Sequence, residues 1–432
     1  MTVGESGQPL ATLPKPDLQT LERTWTDALA TVSGANQQLD LSRGKPGVEQ
    51  LRLSDALETT IAGNYISADG TDTRNYGGLM GIAEARDLGA EIMGVPAAEI
   101  MAAGNSSLNL MHLVLSTALN LGLWGDNRKW RDSDSIKVLT PVPGYDRHFV
   151  LCQHFGMEMV NIPMLEHGPD LQRAAELAAA DSNIKAIWCV PKYANPTGNT
   201  YSDNTVEALA ALPGKAAADD FIVLWDNAYA VHHLEQPGDA LASIRDFAIA
   251  AGTAEHIVQF ASTSKITFAG AGVGFVASGA KVLQSLVAHL SVQTVGPDKV
   301  NQLRHARFLN GRVTEHMAAH AEILRPKFAL VDQILTEQLG ALAIAEWTKP
   351  NGGYFVSLDL LPGLAKQVVA MAKESGLVLT PAGATFPYGV DPDDRNVRIA
   401  PTFGSLQELS GAMEILTLCV KLASARKLLA QS

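Results

Sequence analysis

The chain contains the stretch IVQFASTSK at residues 257–265, in which an apolar run is followed by hydroxyl side chains and a lysine. The run has the length and composition of a buried strand, so Lys265 is expected where that strand ends. An amine held at a strand end can bond covalently to an aldehyde. Because most lysines are surface residues, the strings that precede this one must decide whether Lys265 is reactive.

Two further polar strings come before this lysine, and each follows an apolar, strand-like run. Asn195 begins NPTG (195–198), and Asp226 begins DNAY, which ends at Tyr229. Helical patterns alternate with the apolar runs, at residues 82–93, 106–122, 170–180 and 203–212. This alternation predicts a mostly parallel sheet covered on both faces, which binds ligands at the carboxyl ends of its strands.

The alternating pattern predicts a large domain over residues 56–305, and an α+β tail predicts a smaller domain over residues 306–432. Residues 1–55 are expected to form an N-terminal arm and part of the smaller domain. The first 16 residues are rich in Gly, Pro and polar residues and predict a loose arm. Asp17 is the expected N-cap of a helix that continues to about Val32.

Composition excludes several classes of protein. The net charge of −12 argues against binding to nucleic acid, which requires a basic surface. Cys152, Cys189 and Cys419 are far apart, so the sequence predicts no disulfide framework and no metal site. No signal peptide is evident, and polar residues interrupt the apolar stretch 108–124, so we expect a cytoplasmic protein with no membrane span.

A phosphate site is predicted at GNSS, residues 104–107, where a helix begins. Free N–H groups and the helix dipole suit an anion there, and the hydroxyls of Ser106 and Ser107 can add donors. Ser262 and Ser264, beside the lysine, could supply more. The alternative interpretation is that Ser106 is an ordinary helix N-cap.

The string after residue 225 supplies groups that suit a heterocyclic cofactor. A buried carboxylate at Asp226 would stabilise a protonated ring nitrogen, and Tyr229 and Asn195 could bond a phenolic oxygen. Tyr145, after Pro-Gly, could stack on the ring. The alternatives are a helix N-cap for Asp226 and an ordinary turn residue for Tyr145.

A substrate carboxylate would suit Arg398, in the strand-like run NVRIA (396–400), because a guanidinium binds carboxylates through two parallel hydrogen bonds. Gly44 would let the backbone approach the same carboxylate. The alternative for Arg398 is a surface ion pair. Lys265, once free, could move a proton as a general acid–base group.

Taken together, these strings resemble the class I/II aminotransferases, which are fold-type I pyridoxal-phosphate enzymes, from about Leu41 to Phe403. The resemblance implies an α/β fold whose large domain has a mostly parallel, seven-stranded sheet covered by helices, with a smaller α+β domain. ANPTG, at residues 194–198, is the most specific motif. The resemblance implies that pyridoxal 5′-phosphate is the cofactor. It makes Lys265 the Schiff-base lysine, Asp226 the partner of the pyridine nitrogen, and Tyr229 and Asn195 the ligands of the phenolic oxygen. Tyr145 would be the stacking ring, and Arg398 the anchor of the α-carboxylate.

Tyr76, in RNYGGLMG (74–81), matches a tyrosine that such enzymes extend to the neighbouring subunit's phosphate, which implies a homodimer with shared active sites. The sequence departs from the family at AGAGVG (269–274), where a phosphate-binding arginine is usual. The phosphate would then depend on the four serines and Tyr76, or on a basic residue from elsewhere. The strings LSRGKP (41–46) and PGYDRH (143–148) are most similar to a divergent bacterial branch of aspartate aminotransferases.

The resemblance implies transfer of the amino group of L-aspartate to 2-oxoglutarate by a ping-pong 1,3-proton shift, giving oxaloacetate and L-glutamate. A dicarboxylate needs a second cationic anchor, for which we consider Arg43 or Arg74, with Lys45 as a third option. Another amino-acid aminotransferase, or a β-lyase or cyclase on the same scaffold, stays open. The ligand-sensing domain of a transcription regulator is a remote alternative because no basic helix-turn-helix segment precedes the site strings, and a binding protein without cofactor is less favoured still.

Overall fold

The computed structural model describes residues 8–33, 39–125 and 128–431. The N-terminal segment forms α1 (Lys15–Ser33), β1 (Leu39–Asp40) and α2 (Val48–Arg52). Asp17 lies in the first turn of α1, where its N–H bonds to the carbonyl of Pro14 at 3.0 Å, so the predicted cap at Asp17 is wrong. Leu10 is fully buried in the core, which corrects the predicted loose arm at this point, while residues 1–7 lie outside the described residues.

The central sheet contains eight strands in the part of the chain that the structure describes. They are β2 (Ile100–Ala102), β3 (Lys137–Val142), β4 (Glu158–Leu165), β5 (Gly168–Pro169), β6 (Ile184–Cys189), β7 (Ile222–Asp226), β8 (Ile257–Ser262) and β9 (Gly274–Ala277). Their order is β2-β9-β8-β7-β6-β3-β4-β5. The predicted mostly parallel sheet is confirmed, but it has eight strands rather than the seven expected, because the two-residue β5 extends its edge.

Both faces of this sheet are covered by helices, as the continuous apolar runs predict. In β7, Ile222 and Leu224 pack on one face, while Val223 and Trp225 pack on the other. The helices of this region are α3 (Ala83–Met93), α4 (Ser107–Asn120), α5 (Asp146–His154), α6 (Leu171–Ala180), α7 (Asp203–Ala211), α8 (Ile244–Ala251) and α9 (Ala280–Gln293).

The direction of β9 positions the lysine turn. β9 is antiparallel to β8, so the chain reverses directly after Lys265 and returns through the glycine-rich loop 270–274. This reversal places the loop beside the start of α4, because β9 also pairs with β2.

The remaining elements are α10 (Lys299–Leu309), α11 (Val313–Leu339), β10 (Ala345–Trp347), β11 (Val356–Leu360), α12 (Ala365–Glu374), β12 (Leu377–Val378), β13 (Asn396–Ile399) and α13 (Leu406–Gln431). Strands β10, β11 and β13 form an antiparallel sheet, and β1 pairs with β12. One core cluster joins Leu21 of α1 to Val331 of α11 and Leu416 of α13. The same cluster also includes Tyr193 and Tyr229 of the predicted large domain, and the domain boundaries near residues 55 and 305 stay a prediction. None of the described helices has the length and apolar character needed to cross a membrane.

Candidate functional site

A cavity of about 770 Å³ is lined by about half of the predicted site residues, but not by Asp226 or the four predicted serines. Tyr145, Asn195, Tyr229 and Lys265 reach it from the carboxyl ends of β3, β6, β7 and β8, and Arg398 reaches it from β13. The carboxyl ends of neighbouring parallel strands share one edge of the sheet, which explains how residues so distant in sequence converge. The backbone segment with Arg43, Gly44 and Lys45 also lines this cavity.

Asp226 is the last residue of β7 and is 1% exposed. Its Oδ2 atom lies 3.0 Å from Nε2 of His148, and the His148 ring stacks on Trp188 with a centroid distance of 4.0 Å. The other oxygen, Oδ1, is buried without a hydrogen-bond partner among the described residues. Because such an oxygen is costly to leave unpaired, it marks a place for a donor on a ligand. The residues after Asp226 form turns rather than a helix, so it is not an N-cap.

His148 is a site residue that the sequence did not reveal. It lies in the string PGYDRH, but no motif connects it with Asp226. Its fixed ring holds one carboxylate oxygen and leaves the other free.

Lys265 and Tyr229 lie against each other, with Nζ of the lysine 5.0 Å from the centre of the tyrosine ring. Burial lowers the pKa of Lys265, although the charge of Asp226 opposes this effect. A lower pKa gives more neutral amine, which is the form that attacks an aldehyde. Burial also raises the pKa of Tyr229 well above its ordinary value, so its hydroxyl keeps a proton to donate.

Arg398 is 6% exposed, which excludes the alternative of a surface ion pair. Nη1 donates to Asp146 Oδ1 at 2.9 Å and to Asn195 Oδ1 at 3.2 Å. Nη2 donates to the carbonyl of Ser42 and to Thr380 Oγ1, each at 3.3 Å. Asp146, which the sequence did not single out, is therefore the carboxylate that contacts this guanidinium.

The four predicted serines lie at the start of α4 and at the end of β8, and these two places are close together. Ser106 occupies the N-cap position of α4, but its hydroxyl makes no capping bond and donates to Asn109 Oδ1 at 3.1 Å, and Ser107 is the first residue of the helix. Ser264 Oγ donates to the carbonyl of Asn105 at 3.2 Å, and Ser262 Oγ accepts from the N–H of Ser264 at 3.4 Å. A helix N-terminus with hydroxyl groups nearby is suited to a phosphate.

The glycine-rich loop closes over these serines. A Cβ atom on Gly272 would lie 3.0 Å from the carbonyl oxygen of Asn105, and one on Gly274 would lie 2.7 Å from that of Ser106. At Gly274 the backbone approaches too closely for a side chain, whereas at Gly272 a Cβ atom would fit only if its neighbours shifted by a few tenths of an ångström. The same loop carries no arginine.

Tyr76 and Arg74 do not line the main cavity of their own chain. Tyr76 is 82% exposed, and Arg74 pairs with Asp72 at 2.6 Å. Both line a separate shallow cavity with Val295 and Lys299, and Nζ of Lys299 holds this segment by bonds to the carbonyls of Asn75 and Gly77. Arg147, which was not predicted, does line the main cavity.

Within the described ranges, no group of His, Cys, Asp or Glu side chains is arranged to hold a metal ion. The described residues fit a phosphorylated pyridine aldehyde instead: a serine-lined helix start, an unpaired buried carboxylate oxygen and a lysine with a lowered pKa. This fold and this site define a fold-type I pyridoxal-phosphate enzyme.

Comparison with known proteins gives the family. The sequence profile described as aspartate aminotransferase matches residues 13–432, so the chain belongs to the aspartate aminotransferase family. An aspartate aminotransferase of Corynebacterium glutamicum is 43% identical over 90% of this chain and 90% of its own length. The crystal structure of an aspartate transaminase from the same species superposes with a TM-score of 0.94 at 40% identity, covering 98% of this chain and 100% of that one.

A more distant structure shows the same fold with a cofactor derivative. LysN, an α-aminoadipate aminotransferase of Thermus thermophilus complexed with N-(5′-phosphopyridoxyl)-L-leucine, has a TM-score of 0.74 at 20% identity, covering 94% of this chain and 100% of its own. The chain is an aminotransferase, and its cofactor is pyridoxal phosphate.

Proposed function

We propose that the protein transfers the amino group of L-aspartate to 2-oxoglutarate, giving oxaloacetate and L-glutamate. The observation that carries this proposal is the shared cavity, in which Lys265 and the buried Arg398 face one space. A relative 43% identical bears the name aspartate aminotransferase, which supports the choice of substrate.

Each site residue has a part in this proposal. Pyridoxal phosphate, when bound, supplies an aldehyde that bonds to amines and a ring that withdraws electrons. Asp226 Oδ1 would accept a hydrogen bond from the ring nitrogen and keep it positively charged, while His148 keeps the carboxylate in place. Tyr229 and Asn195 would donate to the phenolic oxygen, and Tyr145 would stack on the ring.

Lys265 would carry the proton. Its released amine would take a proton from the substrate Cα and deliver it to the cofactor's C4′ carbon, which is general acid–base catalysis by a positioned group. Arg398 would bind the α-carboxylate, with the backbone of Gly44 nearby. Ser106, Ser107, Ser262 and Ser264 would hold the phosphate.

The second carboxylate of the substrate requires another cation. Arg43 lines the cavity, whereas the Arg74 side chain is 60% exposed and paired with Asp72, so in one chain the geometry favours Arg43. Lys45 also lines the cavity, but its ammonium lies 3.7 Å from the centre of the Phe403 ring.

The proposal includes a cytoplasmic homodimer with shared active sites. Tyr76 and Val295 are 82% and 63% exposed and line the same shallow cavity, where a second copy of the chain would cover them. Tyr76 would then reach the phosphate of the partner subunit.

The purified protein should show a visible absorbance band from bound cofactor, and aspartate alone should bleach this band as oxaloacetate is released. Lys265→Ala should lose at least about a thousandfold in transamination. Arg43→Ala should weaken the use of aspartate while leaving that of alanine nearly unchanged. Retained activity in Lys265→Ala would refute the site, and equal effects on both amino acids would remove support for Arg43.

A further inference from the structure

A buried chain of hydrogen bonds ends on the backbone of the lysine turn. The hydroxyl of Tyr354 donates to the carbonyl of Lys265 at 3.3 Å. Nε2 of Gln50 donates to the Tyr354 hydroxyl oxygen at 2.9 Å. Gln50 and Tyr354 are both 0% exposed, so water does not compete for these groups.

The next carbonyl along the turn is held as well. Nε2 of His320 lies 2.9 Å from the carbonyl oxygen of Ile266, and Nε2 of His316 lies 2.8 Å from the same atom. Nδ1 of His320 lies 3.1 Å from Nε2 of Gln50. Gln50 therefore connects to both consecutive carbonyls, through Tyr354 to one and through His320 to the other.

The donor-to-acceptor direction of these hydrogen bonds is fixed at both ends of the series. The N–H of Gly47 can only donate, and it bonds to Oε1 of Gln50 at 3.1 Å, so the amide nitrogen of Gln50 must face His320 and Tyr354. The two carbonyls of the turn can only accept. His320 must then accept at Nδ1 and donate from Nε2, which requires the neutral ring. Burial lowers the pKa of His320 to about 4, which keeps it neutral near pH 7.

The other end of this series of hydrogen bonds leads to the substrate side of the cavity. Gly47 follows the segment 42–45, whose residues line the cavity and whose Ser42 carbonyl accepts from Arg398 at 3.3 Å. Gln50 thus stands between the segment that contacts the carboxylate anchor and the turn that bears the lysine.

We propose that Gln50, Tyr354 and His320 are positioning residues that hold the main chain of Lys265, so that its amine reaches both carbons of the proton transfer. This inference rests on the proposed role of Lys265. None of the three side chains lines the cavity, and they act through the backbone to which they bond. A displaced proton donor costs rate even when substrate binding is intact, because proton transfer requires hydrogen-bond distance.

Tyr354→Phe removes one oxygen atom and tests the proposal. We expect kcat for aspartate to fall about tenfold or more and KM to change by less than about twofold. The pH midpoint of the cofactor's visible band should also move, because the lysine amine changes its surroundings.

The matched control is Tyr193→Phe: Tyr193 is 1% exposed, and its hydroxyl bonds to His233 Nδ1 at 2.8 Å and to the N–H of Asp239 at 2.9 Å. The control variant should lower the thermal midpoint without changing kcat or the pH midpoint of the visible band.

A second variant covers the case in which Tyr354→Phe folds poorly. Gln50→Leu leaves the tyrosine in place and should lower kcat by a similar factor, and the double variant should lose little more than the worse single one, since both break one chain. Additive losses, or a Tyr354→Phe variant that differs from wild type only in thermal midpoint, would overturn the proposal. Failure of the proposed function would look different, because the wild-type protein would then release no oxaloacetate from aspartate, or the Lys265→Ala variant would keep transaminating.

Discussion

Two buried aspartates in neighbouring parts of the fold show how surroundings decide a role. Asp220 Oδ1 pairs with Nζ of Lys185 at 2.7 Å, so its charge is matched by a cation. Asp226 contacts a histidine and keeps one oxygen without a partner among the described residues. The first arrangement serves stability, and the second is suited to a ligand.

Asp226→Asn should therefore separate chemistry from folding. We expect kcat to fall at least about a hundredfold, because an amide cannot match the charge of the ring nitrogen, while the thermal midpoint changes little. Asp220→Asn is the control: it leaves Lys185 buried and unpaired, which should cost about 3 kcal/mol of stability with kcat retained. Steady-state kinetics and thermal unfolding of both variants give the comparison, and a drop in kcat of the same size in both would contradict the assignment.

Much of the site could be predicted because its residues follow strands whose ends meet at one edge. That rule brings Asn195, Tyr229 and Lys265 together without knowledge of any contact. His148 and Asp146 escaped the same reasoning. Each acts through a partner 78 or 252 positions away in the chain, and such pairs depend on the packing between elements.

The glycine-rich connection from β8 to Gly274, the first residue of β9, offers a test at the level of one element. Gly274→Ala should weaken cofactor binding by about tenfold or more, because its Cβ would collide with the carbonyl oxygens of Ser106 and Ala103 at 2.7 and 2.8 Å. Gly270→Ala is the control, since nothing lies within 4 Å of a Cβ built there. Titrating each apoprotein with pyridoxal phosphate gives the dissociation constants, and equal constants would show that this close approach does not shape the phosphate site.

Strands buried on both faces were predictable, and the others were not. β6 and β7 are buried along their whole lengths, and apart from Lys185 and the terminal Asp226 their residues are apolar. β4 buries only Met159 and Ile162 and includes Asn161 and Pro163, and β2 has only 3 residues, so neither gives a strong pattern. The start of α1 was misplaced because Asp17 resembles a cap in sequence, whereas the chain enters the helix at Lys15.

The stability of the whole molecule should depend on pH through its buried histidines. Burial lowers the pKa of His305 and of His320 to about 4, from 6.5. The unfolded chain therefore binds more protons between pH 6.5 and 4, so stability is full above pH 6.5 and falls as the pH drops toward 4, by up to about 3 kcal/mol for each histidine. Thermal midpoints measured across this range should fall less steeply in His305→Gln than in wild type. His167→Gln, at an exposed position, is the control, and identical slopes in all three proteins would refute this origin.

The proposed dimer makes a prediction that no single chain can satisfy. If Tyr76 completes the partner's site, then Tyr76→Ala damages the active site of the partner subunit, whereas Lys265→Ala damages the active site of its own subunit. Dimers that contain one chain of each kind carry both changes in one site and an intact second site. Because random pairing makes half of the dimers mixed, unfolding and refolding an equal mixture should restore about a quarter of wild-type activity, although each variant alone is nearly inactive. Two variants refolded separately and then combined provide the control, and a mixture no more active than that control would show that Tyr76 does not act across the interface.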